Sequence, residues 1–375
     1  MKTYFAYVQK EPYRFYFPLG VVFLLWGTLL WLPQIWIQQN YPVLAHRYLM
    51  LNGFSGAFIA GFLMTAVPKF SQTKTASLFE TIGFFILTMV GLVFAFQDRE
   101  SLMYWVSASQ AFFILLFLVR RITKRKVNPP YSFVFILVGL LLWIFSAITS
   151  ALTLEDVYKG LHYEGAIAAI ILGVGSRLVP GILGHVEIVQ TQRKRYENEK
   201  NFFLTVPLHF YGLIATFIGS YFLPGTPGAI LRLLVVATIS LVYWKLYIRP
   251  KDRSVLTWCI WFSCWAILFS FLLKVLWIEG AIHSGHAFFF SGILLLSFLI
   301  ATRVLQSHGP GDKKLENSKV LYIVAFLVTL AAATRVSAIL MPEGYLRHLG
   351  YSSFVLTMGT LLWSWKYLRF VGTHK

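Results

Sequence analysis

Residues 15–36 read FYFPLGVVFLLWGTLLWLPQIW, twenty-two positions without one charged side chain. A helix needs about 20 mostly apolar residues to cross the ~30 Å hydrocarbon core of a bilayer. The run is long enough to cross and lacks a small-residue cleavage site, so it reads as a retained first spanning helix and not as a signal peptide. Working outward, eleven more apolar segments follow at 44–67, 78–96, 102–120, 131–152, 159–180, 202–222, 226–246, 254–277, 281–304, 318–340 and 345–366. In lipid every backbone N–H and C=O must be satisfied within the segment, so these are helices and not open strands. The expected fold class is all-α: a polytopic transmembrane bundle of about twelve helices.

Composition agrees. The 375 residues are 57% hydrophobic and 17% aromatic, and only 13% are charged, about half the share of a soluble domain. Twelve spans leave no sizeable soluble domain, so residues 1–375 are read as one transmembrane domain. The net charge of +18 first suggests nucleic acid. Its distribution gives a different reason. Taken alternately from the N-terminus, one set of connections holds 24 Lys and Arg, among them Lys2, Arg120, Arg121, Lys124, Arg125, Lys126, Arg193, Arg195 and Lys375. The other set holds five: Arg47, Arg99, Lys159, Arg232 and Arg347. By the positive-inside rule the richer set is cytoplasmic. Both termini are therefore expected inside, in a bacterial inner membrane, with the bilayer as partner and no nucleic acid. Trp31, Trp36, Tyr41, Tyr104, Trp105, Tyr158, Trp277, Tyr345 and Tyr351 fall near outer helix ends and are expected as an aromatic belt. Cys259 and Cys264 are the only cysteines, which excludes a disulfide framework.

The second, sixth and tenth segments look alike. Each opens with histidine at the outer end, at His46, His162 and His283 with His286, has glycine soon after, and closes on a small-residue turn. The four-segment spacing suggests three units, near 1–120, 121–246 and 247–375, in a pseudo-threefold bundle. Five of nine histidines thus sit at one depth: His46, His162, His283, His286 and His348. Ionisable groups in a span are functional candidates by default. Imidazole is also the commonest haem and transition-metal ligand. These five are the metal candidates; the competing reading is wet interfacial histidine. Lys274 and Arg335 suit either the carboxylates of a haem or snorkelling to headgroups. Glu164 suits a partner to His162. Arg177, His185, His209, Arg303 and His308 fall toward the inner side, with His374 in the tail. A secondary transporter stays open as an alternative, although acidic residues are nearly absent from mid-membrane, as does a non-catalytic haem carrier or scaffold.

Several stretches together carry a family resemblance. They are Glu11-Pro12-Tyr13-Arg14-Phe15-Tyr16-Phe17-Pro18-Leu19-Gly20, the Gly-Phe-Leu-Met-Thr-Ala-Val-Pro run at 61–68, Gly175-Ser176-Arg177 before Pro180-Gly181, and Thr302-Arg303-Val304 with His308-Gly309. In this order along the whole chain they resemble the NnrS family. The resemblance implies a twelve-helix bacterial membrane protein containing haem and copper, associated with nitric oxide metabolism and relief of nitrosative stress. It implies haem b as cofactor, nitric oxide or a similar diatomic as ligand, and an unidentified electron donor. His46, His286, Arg303 and His308 fall on the family's pattern. The pattern carries His-x-His-Glu at the first motif, where this chain has Tyr48 and Leu49. That departure bears on copper, while haem needs only one or two axial ligands.

Overall fold

The structure is a computed structural model, and it describes residues 7–37, 43–153, 155–197, 199–308 and 313–373. Lys2, Tyr41, Gly309, His374 and Lys375 lie outside the described residues. Among the described residues all regular structure is helical. The twelve apolar segments form α1 (Tyr13–Leu29), α2 (Val43–Ser71), α3 (Leu78–Phe96), α4 (Glu100–Thr123), α5 (Phe133–Thr153), α6 (Tyr158–Ile182), α7 (Leu208–Ser220), α8 (Gly225–Tyr243), α9 (Val255–Leu276), α10 (Ile278–His308), α11 (Val320–Leu340) and α12 (Tyr345–Tyr367). Ten of them are long and apolar enough to cross a membrane, α1 being extended by a 3-10 turn to Ile35. The chain is a multi-pass membrane protein.

The two helices outside that set differ for separate reasons. The segment 202–222 is expected as one helix but is interrupted, with Phe202–Thr205 separated from α7 by Val206 and Pro207 in extended conformation. Proline's ring disfavours helical backbone at the residue before it. Val206 accordingly sits at ψ 124°. Helix α12 is 23 residues long, but His348, Ser352, Ser353, Thr357, Thr360 and Ser364 along it lower its mean hydropathy. A polar helix, Val186–Glu197, occupies the connection after α6.

The chain divides into two compact units. The first holds residues up to Phe23 with Val43–Gly181 and Val186–Pro224; the second holds Leu24–Pro42, Ile182–His185 and Gly225–Lys375. In the first unit, α5 and α6 approach at glycine. A Cβ on Gly173 would lie 3.0 Å from the Ser132 carbonyl oxygen and 3.0 Å from the Ile136 amide. Ser132 Oγ donates to the Gly173 carbonyl at 2.8 Å. Small residues at such crossings let backbones touch, which is how membrane helices gain packing without a hydrophobic drive between them.

Charged residues sit at helix ends. In the first unit Arg14 pairs with Glu11 at 2.7 Å and Lys69 with the same carboxylate at 3.6 Å. Arg121, at the end of α4, pairs with Glu80 at the start of α3, its Nη2 donating to Oε2 at 2.7 Å. Glu80 also closes a capping box with Ser77, so one carboxylate satisfies a helix start and a buried cation together. In the second unit Asp252 Oδ2 accepts from Ser254 and Thr257 at the start of α9, both at 3.1 Å. Trp363 of α12 stacks on Phe298 of α10 at 4.5 Å and donates to Thr302 Oγ1 at 3.0 Å.

Candidate functional site

Alpha-helical geometry is interrupted in the helices that resemble one another in sequence. Leu49–Ser55 in α2, Leu161–Gly165 in α6 and Phe288–Leu294 in α10 are π-helical, as is Ile239–Tyr243 in α8. A π turn widens the helix by one residue and frequently marks a functional site. His46 stands three residues before the first of these segments, His162 inside the second, and His286 two residues before the third. The histidine spacing seen in the sequence therefore has a backbone counterpart.

In the first unit the π turns bring a buried polar network together. Asn52 Nδ2 donates to Ser107 Oγ at 2.6 Å and to Gln110 Oε1 at 3.0 Å. Trp143 Nε1 donates to Ser107 Oγ at 2.8 Å. Ser107 thus accepts twice, and its single proton goes to His162 Nε2 at 3.3 Å. Ser146 spends its proton on the Leu142 carbonyl at 2.5 Å, so it accepts from His162 Nδ1 at 3.3 Å. With the amides in this orientation, hydrogen counts place the His162 proton on Nδ1 and engage its Nε2 lone pair. Gln110 passes the network on to Thr88 Oγ1 at 2.8 Å, and the Tyr48 hydroxyl lies 3.2 Å from Gln110 Oε1 and from the Thr88 carbonyl. All of these side chains are buried. His162 also meets the rings of Tyr104 and Trp143 edge-on.

The N-terminal ends of α2, α4 and α6 meet above this network. Arg47 donates to the Tyr163 hydroxyl at 3.2 Å, and the Tyr104 and Tyr163 hydroxyls are hydrogen-bonded. Glu100 stands between Arg47 and Lys159, 3.5 Å from each. Glu164, expected as a partner to His162, accepts instead from Tyr221 at 3.2 Å. Tyr104 and Trp31 are buried, 0% and 8% exposed, whereas Trp36 and Trp105 are 76% and 43% exposed. The aromatic-belt expectation is therefore corrected for Tyr104 and Trp31. Tyr104 is drawn inward because its hydroxyl finds a partner in Tyr163, as a buried phenol requires.

The second unit holds a different histidine arrangement. Arg335, near the end of α11, is buried, and its Nη1 lies 3.0 Å from His283 Nδ1. Guanidinium has donors and no acceptor, so Arg335 is the donor in this contact. The imidazole stacks on Trp277 at 5.6 Å and meets Tyr345 edge-on, and the Arg335 guanidinium lies 5.8 Å from the Tyr345 ring centre. Three residues on, His286 Nδ1 donates to the Ile282 carbonyl at 2.7 Å. A carbonyl only accepts, so the His286 Nδ1 carries a proton. His348, in the first turn of α12, is half-buried, and its Nδ1 is buried without a hydrogen bond from the protein.

The family model for NnrS protein matches residues 8–374. The chain belongs to the NnrS family. None of the curated proteins compared with it matches. For an NnrS protein the metal expected from the sequence can be tested against these tautomers. A metal-bound imidazole gives one lone pair and anchors its other N–H, commonly on a carbonyl. His286 meets that requirement, and the orphaned Nδ1 of His348 is a second fitting donor. His162 and His283 do not fit as they stand, one with both nitrogens engaged by serines and the other with its lone pair on arginine. His46 is half-buried.

The NnrS candidates fall in both units. His46 and His162 belong to the first unit, while His283, His286 and His348 belong to the second. Among the described residues no three His, Cys, Asp or Glu side chains converge as a metal site. Lys274, half-buried in the last turn of α9, has its ammonium 6.0 Å from the Phe271 ring centre. Arg303 forms an ion pair with Glu316 and donates to Gln306 at 3.1 Å. Arg177 is half-buried, with its Nε making no hydrogen bond; His185 is buried, His209 exposed, and His308 half-buried at the end of α10. Cys259 and Cys264 are free and buried. Sequence reasoning missed Asn52, Ser107, Gln110 and Ser146. Single amides and hydroxyls within apolar helices were the available signal, since each must find a partner in lipid.

Proposed function

We propose that this chain is a haem-binding inner-membrane protein of the NnrS type, with both termini in the cytoplasm, that binds or processes nitric oxide and relieves nitrosative stress. The observation that carries the haem assignment is the tautomer of His286, whose Nδ1 proton is tied to the Ile282 carbonyl at 2.7 Å. An imidazole anchored in this way would ligate a metal through Nε2, here beside a π segment. The orphaned Nδ1 of His348 supports a second ligand. Haem, when bound, supplies an iron to which a diatomic gas coordinates. The protein's part is to hold the imidazoles, exclude water with the aromatic residues around them, and admit an apolar gas through lipid. Copper enters only through the family. Leu49 offers no donor atom, and the Tyr48 phenol is buried within hydrogen-bond distance of Thr88 and Gln110.

The test is an optical spectrum of detergent-purified protein supplied with haem, as wild type, His286→Ala and His162→Ala. The expected result is a Soret band that weakens in His286→Ala and persists in His162→Ala, with the wild-type spectrum shifting on addition of nitric oxide. A wild-type protein that folds and takes up no haem sinks the reading.

A further inference from the structure

The first turns of α9 and α11 leave a groove between them. Trp258, Trp261 and Phe262 form one wall, at the spacing that puts side chains on one helix face. Tyr322, Ala325, Phe326 and Thr329 form the other, again at helical spacing. The space between them is about 440 Å³, within the roughly 300–1,000 Å³ of small-molecule sites. One position explains the space, since Ala325 contributes a methyl where Tyr322 and Phe326 beside it contribute rings. The tryptophan wall is held in place. Trp261 Nε1 donates to the Leu246 carbonyl at 2.8 Å, and Trp258 meets Trp261 edge-on at 5.6 Å. Tyr322 and Phe326 are 51% and 64% exposed, so the groove opens to the bilayer. Its aromatic lining suits an acyl chain and gives a polar ligand few partners.

The mouth of the groove is basic. The Leu256 amide donates to the Glu316 carbonyl at 2.9 Å, which ties the connection before α11 to the first turn of α9. Within three residues of that bond stand Arg253, Lys313, Lys314 and Lys319, all exposed. The acidic groups there are engaged: Glu316 pairs with Arg303, and Asp252 accepts from Ser254 and Thr257. Arg253 lies five residues before Trp258 and Lys319 three before Tyr322, so both cations fall at the end where the groove begins. An apolar length with a cationic end matches an amphiphile with an apolar tail and an anionic head. Basic pockets between membrane helices hold anionic headgroups. We propose that this groove is a site for one anionic phospholipid, with one acyl chain lying between α9 and α11 and the phosphate held at their starts by Arg253 and Lys319. A second copy of the chain is disfavoured as occupant, because its approach at this end brings like charges together. The site uses no histidine and does not rest on the haem reading.

The full-length protein is purified in detergent as wild type, Lys319→Gln, the Arg253→Gln, Lys319→Gln double variant, and Ala325→Phe. Palmitoyl-oleoyl phosphatidylglycerol and phosphatidylcholine, which carry the same chains, are titrated into each, and native mass spectrometry counts the lipid retained. A Lys or Arg near an anionic headgroup changes affinity by about 5-fold. Wild type is therefore expected to retain one phosphatidylglycerol about 30-fold more tightly than phosphatidylcholine. Lys319→Gln lowers that preference by about 5-fold, and the double variant erases most of it. Both positions are exposed, so these variants keep the fold. Ala325→Phe fills the groove and loses the retained lipid. If Ala325→Phe does not fold, tryptophan quenching by dibrominated phosphatidylglycerol in wild type and Trp258→Phe makes the same comparison, and a smaller quenched fraction in Trp258→Phe is expected. Equal retention of the two lipids by wild type overturns the proposal. So does a preference that survives in the double variant or in Ala325→Phe, or quenching unchanged by Trp258→Phe, since the lipid then sits elsewhere. A dimer that Ala325→Phe dissociates puts a second copy in the groove and also overturns it.

Discussion

Ser107→Ala tests whether the buried network in the first unit holds α2, α4, α5 and α6 together. The substitution removes one oxygen that accepts from Asn52 and Trp143 and donates to His162. Three bonds go at once, and three buried polar atoms lose a partner. A hydrogen bond between membrane helices is worth about 0.6 kcal/mol on average and up to about 1.7 kcal/mol. Three of them give roughly 2–5 kcal/mol, at the upper end if the stranded Trp143 and Asn52 donors find no alternative partner. The matched control is Ser109→Ala on the same helix. Its hydroxyl is exposed and bonds only to the Trp105 carbonyl of its own helix, at 3.0 Å, so its expected effect is within about 0.5 kcal/mol. Reversible unfolding in detergent, followed by circular dichroism against denaturant, reads both. A double-mutant cycle with Asn52→Ala then isolates the shared bond, which sets a coupling of about 1 kcal/mol. If Ser107→Ala is indistinguishable from Ser109→Ala, the network does not hold the helices, and the reasoning from hydrogen counts fails.

Three further outcomes follow from local geometry. Arg121→Ala leaves Glu80 buried without its cation and is expected to cost about 3–5 kcal/mol; Glu80→Gln should cost less, because an amide oxygen still accepts from the Ser77 amide. Denaturant titration ranks the two variants, and equal costs would contradict the ion-pair assignment. Gly173→Ala places a methyl 3.0 Å from the Ser132 carbonyl and the Ile136 amide of α5, for an expected loss of about 1–3 kcal/mol. Gly212→Ala in α7 meets nothing within 4 Å and should be neutral or stabilising by up to about 1 kcal/mol, so opposite melting-temperature shifts check the pair.

The helices were legible because each is an apolar run too long for a soluble core, and lipid leaves only one backbone solution. Within each unit, alternate helices start beside one another. The starts of α2, α4 and α6 meet through Arg47, Glu100 and Lys159, and the starts of α10 and α12 meet through His283 and Tyr345. The break before α7 needed weight on Pro207 that a hydropathy reading withholds. The π segments were not legible, because a helix apolar all round carries no phase from which an extra residue shows. The network residues escaped notice for a chemical reason. Serine, asparagine and glutamine carry no metal or acid–base signature, and their importance arises only when burial makes every hydrogen count.

That count also changes what the histidines mean. In sequence His162, His283 and His286 look equivalent, each near the start of a similar helix. Equivalent position would make them one ligand set. Their partners say otherwise, since serines occupy both nitrogens of His162, arginine occupies the lone pair of His283, and a carbonyl takes the proton of His286. A neutral imidazole has one donor and one acceptor, so different neighbours hold the three rings in different ways. The two helices share the π segment and hold their histidines differently. Substituting His162 and His286 one at a time should therefore give different phenotypes: lost stability at His162 and lost haem at His286. A common loss of haem at both would mean that they act as one ligand set, and would refute the assignment of separate roles by their neighbours.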